Sequence, residues 1–138
     1  MIQSNERKRD THTTALYCRV ATHCDMGIEK QSQSLLQFAT EQGYKNPVFY
    51  TDNGVSGLTL NRPAFTEMEK AIARGEVNTI IVMNISRIGR NSFEVMRWID
   101  NCEKANVMVI SVMDDMIPLS LHNCFMAYVA LAKGGSRQ

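Results

Sequence analysis

Ala15-Leu16-Tyr17-Cys18-Arg19-Val20-Ala21-Thr22 opens the first strand-and-helix unit of the chain. Ala15 to Val20 is a short run dominated by apolar residues, the length of a strand, and a helical pattern follows it from about Glu29 to Gln42. The apolar stripe of that helix reads as Ile28, Leu35, Leu36 and Ala39, and Gly43 stands where a C-cap glycine ends a helix. The same alternation then recurs. Pro47 to Thr51 reads as a second strand, followed by a helix that starts near Pro63 and buries Phe65, Met68 and Ile72 before Gly75. Thr79 to Met83 is a continuous apolar run of the kind found in a sheet covered on both faces. Phe93, Met96, Trp98, Ile99 and Cys102 mark the next helix, and Val107 to Met113 a fourth strand. Short apolar runs alternating with helical periods predict an α/β domain of three layers, with a mostly parallel sheet of four to five strands flanked by helices.

The chain of 138 residues fits one domain with a genuine core. Residues 1–13, with Arg7-Lys8-Arg9-Asp10, read as a flexible polar arm, 14–133 as the folded domain and 134–138 as a tail. The last helix, Leu121 to Lys133, is apolar on more than one face, which predicts packing against more than its own sheet, such as a second subunit. Formal net charge is only +1, so any affinity for nucleic acid has to come from local clustering of basic residues. Cys18, Cys24, Cys102 and Cys124 show neither a CxxC pair nor zinc-ligand spacing, and no apolar N-terminal leader is visible. Reduced thiols in a cytoplasm, with no membrane span, are the expectation.

In open parallel sheets, ligands bind outside the carboxyl ends of the strands. Arg19 falls at that end of the first strand, Asp52 and Ser56 just after the second, and Arg87 and Arg90 just after the third. Arg62 starts the helix beyond the Asp52 loop. Guanidinium groups gathered on one rim fork N–H donors onto phosphate oxygens and stay charged at any ordinary pH. Phosphoryl transfer needs such an array, because charge builds on the non-bridging oxygens. No carboxylate cluster suited to a metal is evident, and no cofactor is expected. Gln31 sits on the apolar side of its helix, either as a buried amide satisfied by backbone or as a group that orients an arginine. Asp52 has a similar duality, since an aspartate after a strand often caps a turn, and Ser56 also reads as a plain loop hydroxyl. Neither Cys18 nor Cys24 has a histidine at a spacing that secures a base.

These motifs together resemble the catalytic domain of the resolvase/invertase family of serine site-specific recombinases, from about Ala15 to Asp115. Tyr17 to Thr22 is similar to the family's Tyr-x-Arg-x-Ser opening, Gln31 to its first-helix glutamine, and Asp52 to Gly57 to its Asp-to-Ser-Gly loop. Arg62-Pro63-Ala64-Phe65 resembles an Arg-Pro-x-Phe helix start, and Ser86-Arg87-Ile88-Gly89-Arg90 an Asp/Ser-Arg-x-x-Arg motif. The resemblance implies a resolvase-like fold and an enzyme whose serine attacks a DNA phosphodiester, with a tetramer exchanging strands before religation. It also assigns Arg19, Arg62, Arg87 and Arg90 to the DNA phosphate, with Gln31, Asp52 and Ser56 around them.

Two departures limit what carries over. Ala21 stands at the nucleophile position, and a methyl group forms no covalent intermediate. Thr22, read as the next strand residue, points to the opposite face. The family's aspartate is Ser86 here, and Asn84 occupies the place where large transposon-type members carry an alternative aspartate. The expectation is a domain that does not cut DNA by the family mechanism, touches DNA weakly on its own, and forms homo-dimers, homo-tetramers or hetero-oligomers with an active recombinase. The final helix reads as shortened, with no DNA-reading domain after it. The competing readings are a fragment of a working recombinase with alanine introduced at position 21, and a naturally non-catalytic regulatory or partner-binding relative. A receiver-type signalling domain would need an acidic pair where Ala21-Thr22 stand and an aspartate at Asn84. A flavin-binding module would need a phosphate cradle after the first strand, which is absent.

Overall fold

The computed structural model describes residues 12–58 and 62–113. Its elements in chain order are β1 (Thr13–Val20), α1 (Asp25–Gln42), β2 (Pro47–Asn53), α2 (Pro63–Ala73), β3 (Val77–Val82), a 3-10 turn (Ile85–Arg87), α3 (Ser92–Lys104) and β4 (Met108–Ser111). Among the described residues the strands form one parallel sheet in the order β2-β1-β3-β4. The strand alternation splits the core in two. Leu16, Cys18, Ile81 and Ile110 face α1 through Leu35, Phe38 and Ala39. Ala15, Tyr17, Ile80, Val82 and Val109 face α2 and α3 through Phe65, Met68, Val95 and Ile99. The result is the expected three-layer α/β sandwich.

The departures from the sequence reading have local causes. β1 begins at Thr13, whose N–H donates to the Glu76 carbonyl at 2.8 Å. β2 runs on through Asp52 and Asn53, which pair in register with Arg19 and Val20. Polar residues at a strand end are invisible to a search for apolar runs. α1 starts at Asp25 because Cys24 serves as its N-cap, with Sγ accepting from the Gly27 N–H at 3.3 Å. Cysteine is not among the usual capping residues. Gly43 closes α1 in the left-handed conformation at φ 80°, as expected. Leu36 does not join the stripe and is 40% exposed, since the inward positions of α1 are Gln31, Leu35, Phe38 and Ala39. Phe93 is likewise exposed, and Val95 takes the inward place at the start of α3. β4 is shorter than Val107 to Met113, although the Val112 and Met113 N–H groups still donate to the Val82 and Met83 carbonyls. The predicted last helix, the tail and residues 1–11 of the arm lie outside the described residues. No helix among the described residues is long and apolar enough to cross a membrane.

Burial of ionisable groups in this core has a consequence for alkaline stability. Burial pushes the Cys102 thiol up to about 12, with the Glu69 carboxylate adding to the shift. It raises Cys18 and Tyr17 as well, Tyr17 further through its bond to Asp52. An unfolded thiol ionises near pH ~8.5. Above that pH the unfolded chain releases protons that the folded chain keeps, so stability is full below pH ~8.5 and falls as pH rises, by up to about 1.4 kcal/mol per pH unit for each group. Urea unfolding between pH ~8 and ~11 is expected to show a steadily falling midpoint, with Cys102→Ala giving a shallower decline.

Candidate functional site

Arg19, next to last in β1, is only 4% exposed, so its charge has to be met within the protein. Its guanidinium donates to three backbone carbonyls: Nε to Arg87 at 3.0 Å, Nη1 to Val55 at 2.9 Å and Nη2 to Ser86 at 2.7 Å. One side chain thereby ties the loop after β2 to the turn after β3. Burial lowers its pKa, and the neighbouring charges of Arg62, Arg87 and Arg90 act in the same direction. Arg62, Arg87 and Arg90 thus each lie within electrostatic reach of Arg19.

Gln31 fixes this arrangement from α1. Its amide donates to the Arg19 carbonyl at 3.1 Å and its Oε1 accepts from the Arg19 N–H at 3.3 Å. Of the two readings of Gln31, these bonds fit the buried amide satisfied by backbone, the backbone being that of Arg19. Arg87 Nη1 adds a second bond to the same carbonyl at 3.0 Å. Arg62 is the N-cap residue of α2, donates Nη1 to the Ile88 carbonyl, and lays its guanidinium 4.0 Å from the centre of the Phe65 ring. The Nε atoms of Arg62 and Arg87 are buried and have no hydrogen-bond partner. Arg90 is exposed and packs its stem on Gly57. A Cβ at Gly57 would lie 2.7 Å from Arg90 Cγ and 2.8 Å from Arg19 Nη2. Arg90 is free to swing away, whereas Arg19 is held by three bonds. Gly57→Ala is therefore expected to displace Arg90 and weaken anion binding several-fold while costing about 1–3 kcal/mol of stability, as read by titration and urea melts.

Asp52, 3% exposed, has both carboxylate oxygens occupied. Oδ2 accepts from the Tyr17 hydroxyl at 2.7 Å and the Phe65 N–H at 3.1 Å, and Oδ1 accepts from the Ala64 N–H at 2.9 Å. It caps α2 from a neighbouring strand, which places Arg62. Tyr17 opens the same motif as Arg19. It is fully buried, yet its hydroxyl reaches the rim and joins the site through Asp52. Ser56 Oγ accepts from the Leu58 N–H at 3.1 Å, as a loop hydroxyl does. Ala21 and Thr22 sit in an exposed bend beyond the end of β1 at Val20. Strand alternation therefore does not govern where Thr22 points, contrary to the expectation that it faces away from Ala21. The Ser86 hydroxyl donates to Asn84 Oδ1 on the same rim. Among the described residues no group of three His, Cys, Asp or Glu side chains is placed to hold a metal ion.

The arrangement offers concentrated positive charge, unsatisfied donors and no attacking group at position 21. A family model described as Resolvase, N terminal domain matches residues 14–129. The fold is similar to that of the N-terminal catalytic domain of TP901-1 integrase, at 23% identity and a TM-score of 0.74, covering 91% of this chain and 96% of that one. A resolvase family site-specific recombinase from Streptococcus pneumoniae is 26% identical, with a TM-score of 0.69 and 91% of each chain covered. A protein of Bacillus subtilis (strain 168) that carries the name of a DNA recombinase is 28% identical over 102 residues, 71% of this chain. This chain spans 20% of the length of that curated relative. The chain belongs to the resolvase N-terminal domain family, the catalytic-type domain of the serine recombinases.

Proposed function

We propose that this domain holds a DNA phosphate on the rim of Arg19, Arg62, Arg87 and Arg90 and leaves it uncut, because Ala21 stands where the family's attacking serine belongs. The family acts on DNA and oligomerises. The observation that carries the reading is the pair of buried, unpartnered Nε atoms on Arg62 and Arg87. A buried donor without a partner costs about 1–3 kcal/mol, and the oxygens of a bound phosphate remove that cost. Arg19 and Gln31 hold the rim in shape, Asp52 sets the Arg62 end, and Ser56 shapes the loop between them. Binding by the domain alone is weak and salt-sensitive, in a cytoplasmic protein that works as a dimer, a tetramer or a hetero-oligomer.

The test is DNA binding across a salt series. Each phosphate neutralised contributes about −0.9 to the slope of log K against log salt. Arg87→Gln and Arg90→Gln are each expected to weaken binding and reduce the steepness by about one. Slopes equal to that of the parent protein would refute the reading.

One observation favours a naturally non-catalytic relative over a working enzyme altered at a single position. The hydroxyl at 21 and the carboxylate at both 84 and 86 are all missing, while the arginines remain. A chain of that kind, mixed with an active relative, should enter its oligomers and lower the recombination rate in proportion to its share.

A further inference from the structure

Beside the arginine rim, between α2 and α3, lies a cavity of about 420 Å³ that shares Arg62 and Arg90 with the rim and extends past it to Trp98. Arg62 and Arg90 stand at one side of it, Phe65 and Trp98 supply aromatic surface, and Glu69 and Glu94 supply carboxylates. Its size lies within the range of small-ligand pockets, and its lining is the usual mixture of apolar wall and a few placed polar groups. The wall is pre-organised. Trp98 Nε1 donates to Glu69 Oε2 at 3.1 Å, and the Phe65 and Trp98 ring centres are 5.0 Å apart. Arg62 is more than nine-tenths buried, lines this cavity and carries one of the unpartnered Nε atoms.

We propose that this cavity is a nucleobase pocket. It takes one unpaired base bearing an exocyclic amino group, stacked on Trp98, while the phosphate attached to that nucleotide rests on Arg62 and Arg90. Aromatic surface binds the face of any base, and a carboxylate accepts from the amino group of cytosine or adenine but meets only an acceptor on thymine at the corresponding position. Glu94, exposed in the first turn of α3, is the carboxylate available for this role, since one oxygen of Glu69 already holds the indole. The inference rests on the phosphate reading of the rim and extends it from charge to a choice of base.

Trp98 is the one tryptophan of the chain and lines this cavity, so its fluorescence responds to a base bound there. The full chain is titrated with inorganic phosphate, deoxyribose 5-phosphate, dCMP and dTMP, by calorimetry and by quenching of Trp98. The expected result is that dCMP quenches Trp98 and binds about tenfold tighter than deoxyribose 5-phosphate. Trp98→Leu should abolish that preference and leave phosphate affinity unchanged, and Trp98→Phe should keep most of it. Glu94→Gln, an exposed change that spares the core, should bring dCMP and dTMP to equal affinity. Equal binding of dCMP and deoxyribose 5-phosphate would overturn the pocket while leaving the phosphate rim standing. No binding of any phosphate would overturn both. Trp98 fluorescence that changes with protein concentration and not with nucleotide would mean that a second copy covers the cavity, and would also overturn the proposal.

Discussion

Asp52→Ala is expected to lower the free energy of unfolding by about 3–5 kcal/mol, a large share of the ~5–15 kcal/mol available to a domain of this size. The carboxylate accepts three hydrogen bonds in a site that is 3% exposed. Alanine leaves the Tyr17 hydroxyl and two helix N–H groups without acceptors, and each orphan carries its own desolvation penalty of about 1–3 kcal/mol. It also removes a negative charge that offsets the effect of Arg19 and Arg62 on the Tyr17 hydroxyl. Asp52→Asn keeps a carbonyl oxygen that can still accept a helix N–H and should lose less, about 1–3 kcal/mol. Urea unfolding distinguishes the two. Equal and small losses from both would mean that Asp52 is not the strut that places Arg62.

Ala21→Ser, joined to a DNA-binding module, is expected to give a covalent protein–DNA adduct where the parent gives none. The bend that bears position 21 is tied to the loop that Arg19 holds. The Val20 carbonyl accepts from the N–H groups of Gly54 and Val55 at 3.0 Å each, and Arg19 donates to the Val55 carbonyl. The adduct should form slowly, because Ser86 and Asn84 supply no carboxylate for proton handling. General acid–base assistance is worth about 10²–10⁴-fold in rate, so adding Ser86→Asp should accelerate adduct formation by up to that factor. Denaturing gels after incubation with DNA read both effects. No adduct from either variant would show that the site lacks more than its nucleophile.

Most of the fold was legible because its two periods are plain in the sequence. The buried run Thr79 to Met83 reads as a doubly covered strand, and Phe65 and Met68 are spaced for one helical face. What escaped was set by contacts distant in sequence. Asp52 and Asn53 extend β2 only because β1 lies beside them, and Leu36 is exposed because Phe38 is the better-placed side chain on α1. At the site, the gathering of the arginines followed from their positions after parallel strands. Their division of labour did not. Arg19 spends its guanidinium on three carbonyls from two loops, while the exposed Arg90 makes no comparable commitment, and nothing local to either residue distinguishes them. The motif did contain a clue to Tyr17, since a tyrosine two residues before a buried arginine on one strand faces the same layer.

In the proposed function the rim binds phosphate through donors that the protein leaves unpaired. Its most direct test is nitrogen-15 NMR of the arginine Nε–H groups during titration with inorganic phosphate. Arg62 and Arg87 are expected to shift together, saturably, at one affinity, while Arg19 Nε, already bonded to the Arg87 carbonyl, moves little. A titration that leaves the Nε resonances of Arg62 and Arg87 unmoved would rule out phosphate binding by these donors.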